Sequence, residues 1–291
     1  MRVLSWNVQN LRLRHPGGRS RLDGARDQDD GPEGRALDGA DRRLTAAVLA
    51  RAGADLCLLQ EVFDRPSLDW FHDHLLRASG AAPWPWRACL PGNDGAGRDL
   101  AVLARRPFAA TSHAALREGG RVVFCRDCLQ VDLGDLVLFG LHLKAPVPDP
   151  EAALVQRQRE VAAVRRLIEA RFADPAQALW LVLGDFNDPD GRALRPLLAP
   201  FGVDLRARMP ADERWTWWRE GQGRGCPDGM IASPALAARW PRAVPQALRW
   251  GMARAAGGGA ERLEGVGALR PHASDHAALV LDLPGLGGPG L

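Results

Sequence analysis

The chain alternates between short apolar runs and amphipathic stretches. Strands are predicted where apolar runs end in turn or polar residues: 2–6, 55–60, 100–104, 121–124, 128–133, 136–143, 179–184, 229–232 and 277–282. Helical periodicity predicts helices over 41–52 and 67–79, the second with Ser67 as a candidate cap and Gly80 just past its end. Because helices flank the strands and 121–143 has hairpin-like spacing, an α/β fold with mixed sheets is favoured over a doubly wound parallel sheet.

The clearest helix signal starts at Asp149-Pro150-Glu151. These residues supply a cap, a proline at the first helical position and an acidic first turn. Apolar residues then recur at helical spacing: Leu154, Val161, Val164, Ile168 and Phe172. We interpret this stripe as core packing and not as a binding groove.

Segment 12–43 is rich in Gly, Arg and Asp. From 11 to 43 it holds eight Arg and seven Asp or Glu, so it is locally almost neutral. This composition predicts an extended or mobile surface loop. Two interpretations are open: a solvated mixed-charge loop, or a loop that reaches over an anionic substrate with Arg12, Arg14, Arg19 and Arg21.

Length and composition limit the class of protein. The 291 residues are 46% hydrophobic and 25% charged, and the net charge of +3 permits an anionic substrate without a strong basic signature. Without an 18-residue apolar run, we expect no membrane insertion, and since the chain starts directly in a strand we expect no cleaved signal peptide and a cytoplasmic location. We expect one domain over 1–291 with a tail at 284–291, and no obligate protein partner is evident.

The five cysteines do not form a disulfide pattern, because their number is odd and their spacing sparse. Cys125-Arg-Asp-Cys128 is a single C-x-x-C without a second pair. A structural zinc site is one interpretation, and buried or half-buried free thiols are the favoured one.

Several apolar runs carry a carboxylate, an amide or an imidazole at one end. They are Leu-Ser-Trp-Asn at 4–7, Leu-Leu-Gln-Glu at 58–61, Leu-Val-Leu-Gly-Asp-Phe-Asn at 181–187 and the Ser-Asp-His at 274–276 that precedes the last strand. Oxygen ligands together with a histidine are what metal-assisted hydrolysis of phosphate esters requires. The sequence therefore predicts that distant segments assemble one such site.

In their order along the chain, these motifs resemble the endonuclease/exonuclease/phosphatase superfamily, which includes pancreatic-type deoxyribonucleases, abasic-site endonucleases, inositol polyphosphate phosphatases and neutral sphingomyelinases. The resemblance runs from Met1 to about Leu283 and also includes Leu-Ala-Val-Leu-Ala-Arg at 100–105 and Leu-His-Leu-Lys at 141–144. It implies a four-layer α/β sandwich, in which two mixed β-sheets pack face to face with helices on both outer sides. The active groove would lie at one end of the sheets.

The resemblance assigns the metal ligands. Glu61, held by a buried strand, is the candidate ligand of Mg²⁺ (or Mn²⁺); Asn7 supplies a neutral amide, and Asp275 completes the site. A salt bridge or a solvated strand end is the alternative interpretation of Glu61. Gln9 stands where many relatives have an acidic residue, which weakens the case for a second metal ion.

The resemblance also assigns catalytic roles. His276 would be the general base, or would stabilise charge at the attacked phosphate, with Asp228 fixing its tautomer. Asp185 and Asn187, which also suit an Asp- and Asn-rich turn, would orient the attacking water and hold the phosphate or a second metal position. His142 would bind the scissile phosphate, although a core histidine is the alternative.

Substrate contacts are predicted at Lys144, Asn187 and Arg98. Lys144 is the one lysine among 38 basic residues and follows His142 by two positions. The remaining histidines, including His72 and His74, are expected at the surface. The tryptophans of two apparent loops either stack on bases or fill gaps beside the core: Trp84, Trp86, Trp215, Trp217 and Trp218.

The leading functional hypothesis is a divalent-metal-dependent phosphodiesterase that acts on a phosphate-ester substrate, DNA or RNA. One alternative is a phosphatase or a phospholipid or sphingomyelin phosphodiesterase of the same family. An alternative of another class is a catalytically inactive nucleic-acid-binding relative. The absence of tyrosine argues against an abasic-site repair enzyme that uses a phenolic contact.

Overall fold

The computed structural model describes residues 1–25, 32–188, 190–259 and 261–287. The helices are α1 (Pro32–Ala52), α2 (Arg65–Phe71), α3 (Pro150–Arg171) and α4 (Pro234–Arg239), with a π-helical turn at His72–Leu76. Short 3₁₀ turns lie at Pro16–Gly18, Arg195–Leu197, Leu205–Arg208, Ala211–Glu213 and Arg254–Ala256. The strands are β1 (Arg2–Leu11), β2 (Leu13–Arg14), β3 (Arg21–Leu22), β4 (Leu56–Val62), β5 (Trp86–Leu90), β6 (Asp99–Ala104), β7 (Ala109–Ser112), β8 (Arg117–Glu118), β9 (Arg121–Val122), β10 (Cys128–Asp132), β11 (Val137–His142), β12 (Trp180–Asp185), β13 (Val203–Asp204), β14 (Trp217–Arg219), β15 (Gly223–Gly225), β16 (Asp228–Ala232), β17 (Gln246–Leu248) and β18 (Ala278–Asp282).

Two six-stranded mixed sheets form the centre of the fold. Sheet I has the order β17-β18-β1-β4-β6-β5, and sheet II has the order β13-β16-β12-β11-β10-β7. In each sheet one central pair is parallel, β1 with β4 and β11 with β12, and the other pairs are antiparallel.

Alternation along the strands places a hydrophobic core on both faces of each sheet. In β4, Leu56 and Leu58 belong to the core between the sheets, whereas Cys57 and Leu59 belong to the core that α1 and α2 cover. On the far side, Val161, Val164 and Ile168 of α3 pack against sheet II. The predicted four-layer sandwich is therefore confirmed.

The predicted start of α3 agrees with the structure, but the cap of α2 does not. Asp149 accepts hydrogen bonds from the backbone N–H groups of Glu151 and Ala152. At α2 the cap is Asp64, whose carboxylate accepts the N–H of Ser67 at 2.7 Å. The Ser67 hydroxyl instead accepts the N–H of Leu13, so the helix starts two residues earlier than predicted, at Arg65.

The prediction of a loop over 12–43 is wrong for most of that segment. Residues 13–22 form a small β2–β3 hairpin, and α1 begins at Pro32, inside the predicted loop; residues 26–31 lie outside the described residues. The polar residues Asp38, Asp41 and Arg42 are buried, so this part of α1 carries no hydrophobic periodicity for a sequence pattern to detect.

Arg42 explains why this polar helix packs so tightly. Its guanidinium donates hydrogen bonds to four backbone carbonyls, those of Val8, Gln9, Asp23 and Gly24. Burial lowers its pKa to about 10, a value at which the group is still charged near neutral pH. The buried charge is therefore satisfied by the end of β1 and by the segment after β3.

The two ends of the chain meet in sheet I, where β18 pairs with β1 in antiparallel register. This pairing supports the single domain over 1–291, which stays a prediction. Within the predicted tail 284–291, Leu286 is buried against the core between the sheets, and 288–291 lie outside the described residues.

None of the helices in the described part of the chain combines the length and apolar composition that crossing a bilayer requires. The cytoplasmic location stays a prediction.

Cys125 is half-buried and Cys128 is buried, both as free thiols, in agreement with the favoured interpretation. Burial raises the pKa of Cys125 to about 11, so the thiol stays protonated near neutral pH.

Candidate active site

Strand pairing in sheet II brings three site residues side by side. His142 at the end of β11 is opposite Asp185 at the end of β12, and Asp185 is opposite Asp228 at the start of β16. Parallel β11 and β12 end at the same edge of the sheet, and antiparallel β16 begins there. The register alone therefore produces a His-Asp-Asp row.

Gly184 makes this register possible. Its φ of 147° is one that side chains rarely adopt, and an added Cβ would lie 1.9 Å from the carbonyl oxygen of Leu141. No larger residue can precede Asp185 without separating β11 from β12. The glycine of Gly-Asp-Phe-Asn is therefore a packing requirement of the site.

Residues beside the site at the ends of both sheets adopt unusual backbone conformations. Among the described residues, the non-glycine residues with positive φ are Gln9 (51°), Asn10 (59°), Glu61 (63°) and Asn187 (48°). Each of these left-handed conformations costs on the order of 1–3 kcal/mol and persists only where the surroundings enforce it. All of them lie at the ends of β1, β4 and β12, where the two sheets face one polar cluster.

Asn7 joins the two sheets. Its amide nitrogen donates to Glu61 Oε1 at 3.2 Å and to Asp185 Oδ2 at 3.1 Å, and its oxygen accepts the N–H of Gln9 at 3.0 Å. The second oxygen of Glu61 accepts the N–H of Asn10 at 3.0 Å. The buried Asp185 carboxylate and the more accessible Glu61 carboxylate are thus held at the end of both sheets.

His276 and Asp228 form a buried pair. His276 Nδ1 lies 2.9 Å from Asp228 Oδ2, while its Nε2 lies 3.9 Å from Asp185 Oδ2 and 4.0 Å from Asp275 Oδ1. Burial by itself lowers the pKa of His276, but the nearby carboxylates, Asp228 first, outweigh burial and raise the pKa well above the ordinary value. The ring therefore carries a positive charge near neutral pH in this arrangement.

Burial shifts the pKa values of Asp185 and His142, which both lie near His276, in opposite directions. It raises the pKa of Asp185 to about 6, with the charge of His276 opposing that shift. Burial also lowers the pKa of His142 well below its ordinary value, and Arg126 adds to this effect. His142 Nε2 lies 3.5 Å from Asp185 Oδ2, and its Nδ1 is buried without a hydrogen-bond partner.

Asn187 and Arg98 also lie at the site. The Asn187 backbone N–H donates to Asp185 Oδ1 at 2.9 Å, and its side-chain amide donates to the carbonyl of Leu143 at 3.1 Å. Arg98 Nε lies 3.0 Å from Asn10 Oδ1 and 3.6 Å from Glu61 Oε2. Arg98 therefore brings positive charge next to the candidate metal ligand.

Lys144 is not brought into the cluster. Its ammonium donates to the carbonyl of Val147 at 2.8 Å, on the loop that precedes α3. Residue 144 lies beyond the end of β11, so the two-residue spacing from His142 no longer places both side chains on one strand face. The two-residue spacing therefore does not bring Lys144 beside His142, and the phosphate contact of Lys144 stays a prediction.

A cleft of about 700 Å³ opens above the cluster. Glu61, Asp275 and His276 face it, and Arg98, Arg126, Arg219 and Trp218 lie along its walls. Arg12, Arg14, Arg19 and Arg21 are not among the described residues that line it; Arg14 and Arg21 pair with Asp23 and Asp38.

The sequence prediction missed His272. The expectation that the remaining histidines lie at the surface is wrong for His272 and His72, which are both buried, whereas His74 is exposed. His272 lines the cleft, and its Nε2 lies 3.4 Å from Gln9 Oε1. A signal was present, since His272 is four positions before His276 in Pro-His-Ala-Ser-Asp-His.

Gln9 positions Asp275. Its Oε1 accepts the backbone N–H of Asp275 at 3.0 Å. The Asp275 carboxylate also accepts a hydrogen bond from the indole N–H of Trp217 at 3.1 Å. The neutral Gln9 therefore organises the Ser-Asp-His segment without adding a negative charge.

The tryptophans of the two predicted loops differ in burial, and their stacking on bases stays a prediction. Trp84 and Trp215 are buried and fill core positions, while Trp86 is exposed. Trp217 and Trp218 are half-buried at the site, and Trp218 lines the cleft.

The sequence matches the Endonuclease/Exonuclease/phosphatase family over residues 4–276. The fold is similar to that of truncated Caenorhabditis elegans TDP2, with 18% identity, 96% of each chain covered and a TM-score of 0.60. D. rerio TDP2 complexed with single strand DNA product is 18% identical, with 97% of each chain covered and a TM-score of 0.60. An endonuclease/exonuclease/phosphatase family protein from Leptotrichia buccalis is 12% identical, with 97% of this chain and 98% of that chain covered and a TM-score of 0.60. No curated protein matches the sequence significantly.

The chain belongs to the endonuclease/exonuclease/phosphatase family, as the sequence predicted. At the level of the family it is a metal-dependent phosphoesterase. Because the solved structures are at most 18% identical to this chain, their similarity shows the fold alone.

Proposed function

We propose that the protein is a divalent-metal-dependent phosphodiesterase that hydrolyses nucleic acid, DNA or RNA. The observation that carries this proposal is the convergence of Glu61, Asn7, Asp185, Asp228 and His276 beneath one open cleft. Carboxylates, an amide and an imidazole in one place are the groups that phosphate ester hydrolysis needs.

Glu61, with Asn7 and Asp275, is the group of residues that would hold Mg²⁺ (or Mn²⁺). Their donors are hard oxygens, and Glu61 and Asp275 face the cleft. Asp185, Asp228 and His276 form a more compact group, but Asp228 Oδ2 is already bonded to His276 Nδ1. The buried Asp228 Oδ1 has no hydrogen-bond partner, which fits a cluster that accepts further positive charge. A bound divalent cation would neutralise charge on the phosphate oxygens.

The remaining residues act on the phosphate and the attacking water. Of the two roles predicted for His276, its raised pKa favours charge stabilisation at the phosphate over that of a general base. Asp185, with a pKa of about 6, suits a group that orients water and accepts its proton near neutral pH. Asn187 and the neutral His142 donate hydrogen bonds to the phosphate, and Asp228 fixes the ring of His276.

The walls of the cleft favour a nucleic acid as substrate. Arg98, Arg126 and Arg219 supply positive charge for phosphates, and Trp218 supplies an aromatic face for a base. D. rerio TDP2, which has a similar fold, is complexed with single strand DNA product. We keep Lys144 as a candidate for contacts that form only with substrate.

Turnover of defined substrates tests the proposal. Plasmid DNA, RNA, an inositol phosphate and sphingomyelin are incubated with Mg²⁺ or Mn²⁺ and, in parallel, with a chelator. Metal-dependent cleavage of DNA or RNA supports it. Cleavage of only the inositol phosphate or sphingomyelin would instead establish the phosphatase or lipid phosphodiesterase alternative, and binding without any cleavage would indicate an inactive relative.

Glu61→Gln tests the metal site directly. The variant keeps the size of the side chain and removes the charge, so we expect metal-dependent turnover to fall by at least about 100-fold with an unchanged circular dichroism spectrum. Mg²⁺ or Mn²⁺ binding, measured by calorimetry, is expected to weaken in parallel. The matched control is Glu220→Gln, because Glu220 is exposed on the wall of the same cleft. Wild-type activity and metal affinity in Glu61→Gln would remove Glu61 from the site.

A further inference from the structure

An arginine patch lies beside the active-site cleft. It consists of Arg224 and Arg249, which both stack on the buried Trp215, and of Arg254 on the neighbouring 3₁₀ turn. The guanidinium carbons of Arg224 and Arg249 lie 4.5 Å and 4.1 Å from the centre of the Trp215 ring. Arg224 donates twice to the carbonyl of Ala256, at the end of the 3₁₀ turn that Arg254 begins.

The guanidiniums of the arginine patch are hydrogen-bonded to backbone carbonyls and not to carboxylates of the described residues. Arg249 donates to the carbonyls of Glu213 and Trp215, and Arg254 donates to that of Val266. Among the described residues, none of the three arginines forms an ion pair. Burial lowers the pKa of Arg249, and repulsion by Arg224 and Arg262 adds to this effect against the opposing charge of Glu213.

The patch continues one wall of the cleft. Arg224 on β15 is directly opposite Trp218 on β14, and Trp218 lines the cleft. Met252 and Ala253, which also line the cleft, immediately precede Arg254. Trp218 packs against the small apolar cluster that contains Trp215 and Met252.

Two properties of the patch suit phosphate groups. Arginine forms planar, multidentate hydrogen bonds to phosphate. The carbonyl bonds and the Trp215 ring hold the guanidiniums in place before binding, so little side-chain entropy is lost. The Arg224 guanidinium is also packed against the backbone at Gly257, where an added Cβ would lie 3.0 Å from Nη2.

We propose that the arginine patch binds backbone phosphates of a nucleic-acid strand that extends beyond the scissile phosphodiester. The inference rests on the proposed function, and it makes the substrate a polymer that crosses the β14–β15 hairpin. An anionic membrane surface is the less favoured partner, because stable interfacial binding also uses inserted apolar side chains. The large apolar residues exposed in the described chain are Trp86, Val147 and Val155, and none lies in the patch.

Arg224→Gln and Arg254→Gln test the patch in two ways. First, binding of a labelled single-stranded oligonucleotide is measured by fluorescence anisotropy at several salt concentrations, in a Glu61→Gln background to prevent cleavage. Each change is expected to weaken binding about three- to tenfold and to reduce the slope of log K against log salt by about one. Second, with Glu61 intact, the ratio of kcat/KM for the long strand to kcat/KM for a dinucleotide is expected to fall.

Arg239→Gln is the matched control. Arg239 is also stacked on a tryptophan, at 4.7 Å from the ring of Trp240, but it ends α4, which follows β16 at the edge of sheet II opposite the site. The control is expected to leave the slope and the ratio at their wild-type values. If Arg224→Gln and Arg254→Gln behave like Arg239→Gln, the inference is wrong.

The experiment separates this inference from the proposed function. If the enzyme cleaves another phosphate ester and no nucleic acid, the proposed substrate fails, while the binding measurement still tests the patch. Vesicles containing phosphatidylserine form a further arm. If the two patch variants lose vesicle binding but keep oligonucleotide binding, the ligand is a membrane surface and the inference is overturned.

Discussion

At the scale of single residues, two adjacent carboxylates of the site differ in pairing because their surroundings differ. Asp185 and Asp228 are neighbours in β12 and β16, yet Asp228 is paired with His276, whereas burial raises the pKa of Asp185 to about 6. This division between a paired and a proton-accepting carboxylate is the pattern that acid–base chemistry uses. It depends on which groups lie within a few ångströms, and a sequence motif contains no such information.

Outside the cluster of site residues, the buried carboxyl of Asp127 is expected to make the stability of the fold depend on pH. Burial raises its pKa from 3.8 to about 6. Between these values the folded protein keeps a proton that the unfolded chain has lost, so the stability contributed by Asp127 falls as pH rises. We expect the stability of wild type relative to Asp127→Asn to fall by up to about 3 kcal/mol between pH ~4 and pH ~7. Urea denaturation across this range measures the difference, and a constant difference would contradict the prediction.

At the scale of elements, α1 connects segments that are far apart in sequence. Arg42 bonds to the carbonyls of Val8 and Gln9 at the end of β1. Asp41 accepts the backbone N–H of His272, and Thr45 donates to the carbonyl of Ala273. One polar face of α1 therefore holds both the strand that carries Asn7 and the segment that carries His276.

Replacing Arg42 tests this role of α1. In Arg42→Met, four buried carbonyls lose their donor, so we expect the free energy of unfolding to fall by at least about 3 kcal/mol. The adjacent Arg43 is exposed, and Arg43→Met is expected to change stability by less than about 0.5 kcal/mol. Thermal or chemical denaturation compares the two. Equal stabilities would show that Arg42 is not needed to hold α1 in place.

Buried strands were predicted from the sequence, whereas exposed edge strands were not. Strands β1, β4, β6, β11, β12 and β18 were predicted because buried strands consist of continuous apolar residues. The four edge strands of the two sheets, β5, β7, β13 and β17, were not predicted, because they are short and partly exposed. The first half of α1 was missed since its buried side chains are polar.

At the scale of the whole molecule, the concentration of arginines around the cleft gives a prediction about salt. If a polynucleotide is the substrate, its phosphates release counterions on binding, so KM is expected to rise at least tenfold between about 50 and 200 mM salt. Steady-state kinetics at constant Mg²⁺ would measure this rise. A KM that does not respond to salt would point to a small or lipid substrate.

The sequence by itself determined the family, the layered α/β architecture that the family implies, and most of the residues that meet at the site, with His272 missed and Lys144 misplaced. Apolar runs that end in polar residues predict the strands and the candidate site residues. The four-layer arrangement followed from the resemblance to the family. Only the tertiary structure decided that Lys144 faces Val147, that His272 joins the cleft and that Arg224 lies against Trp215. Those placements depend on contacts between distant segments, and the order of residues along the chain does not specify such contacts locally.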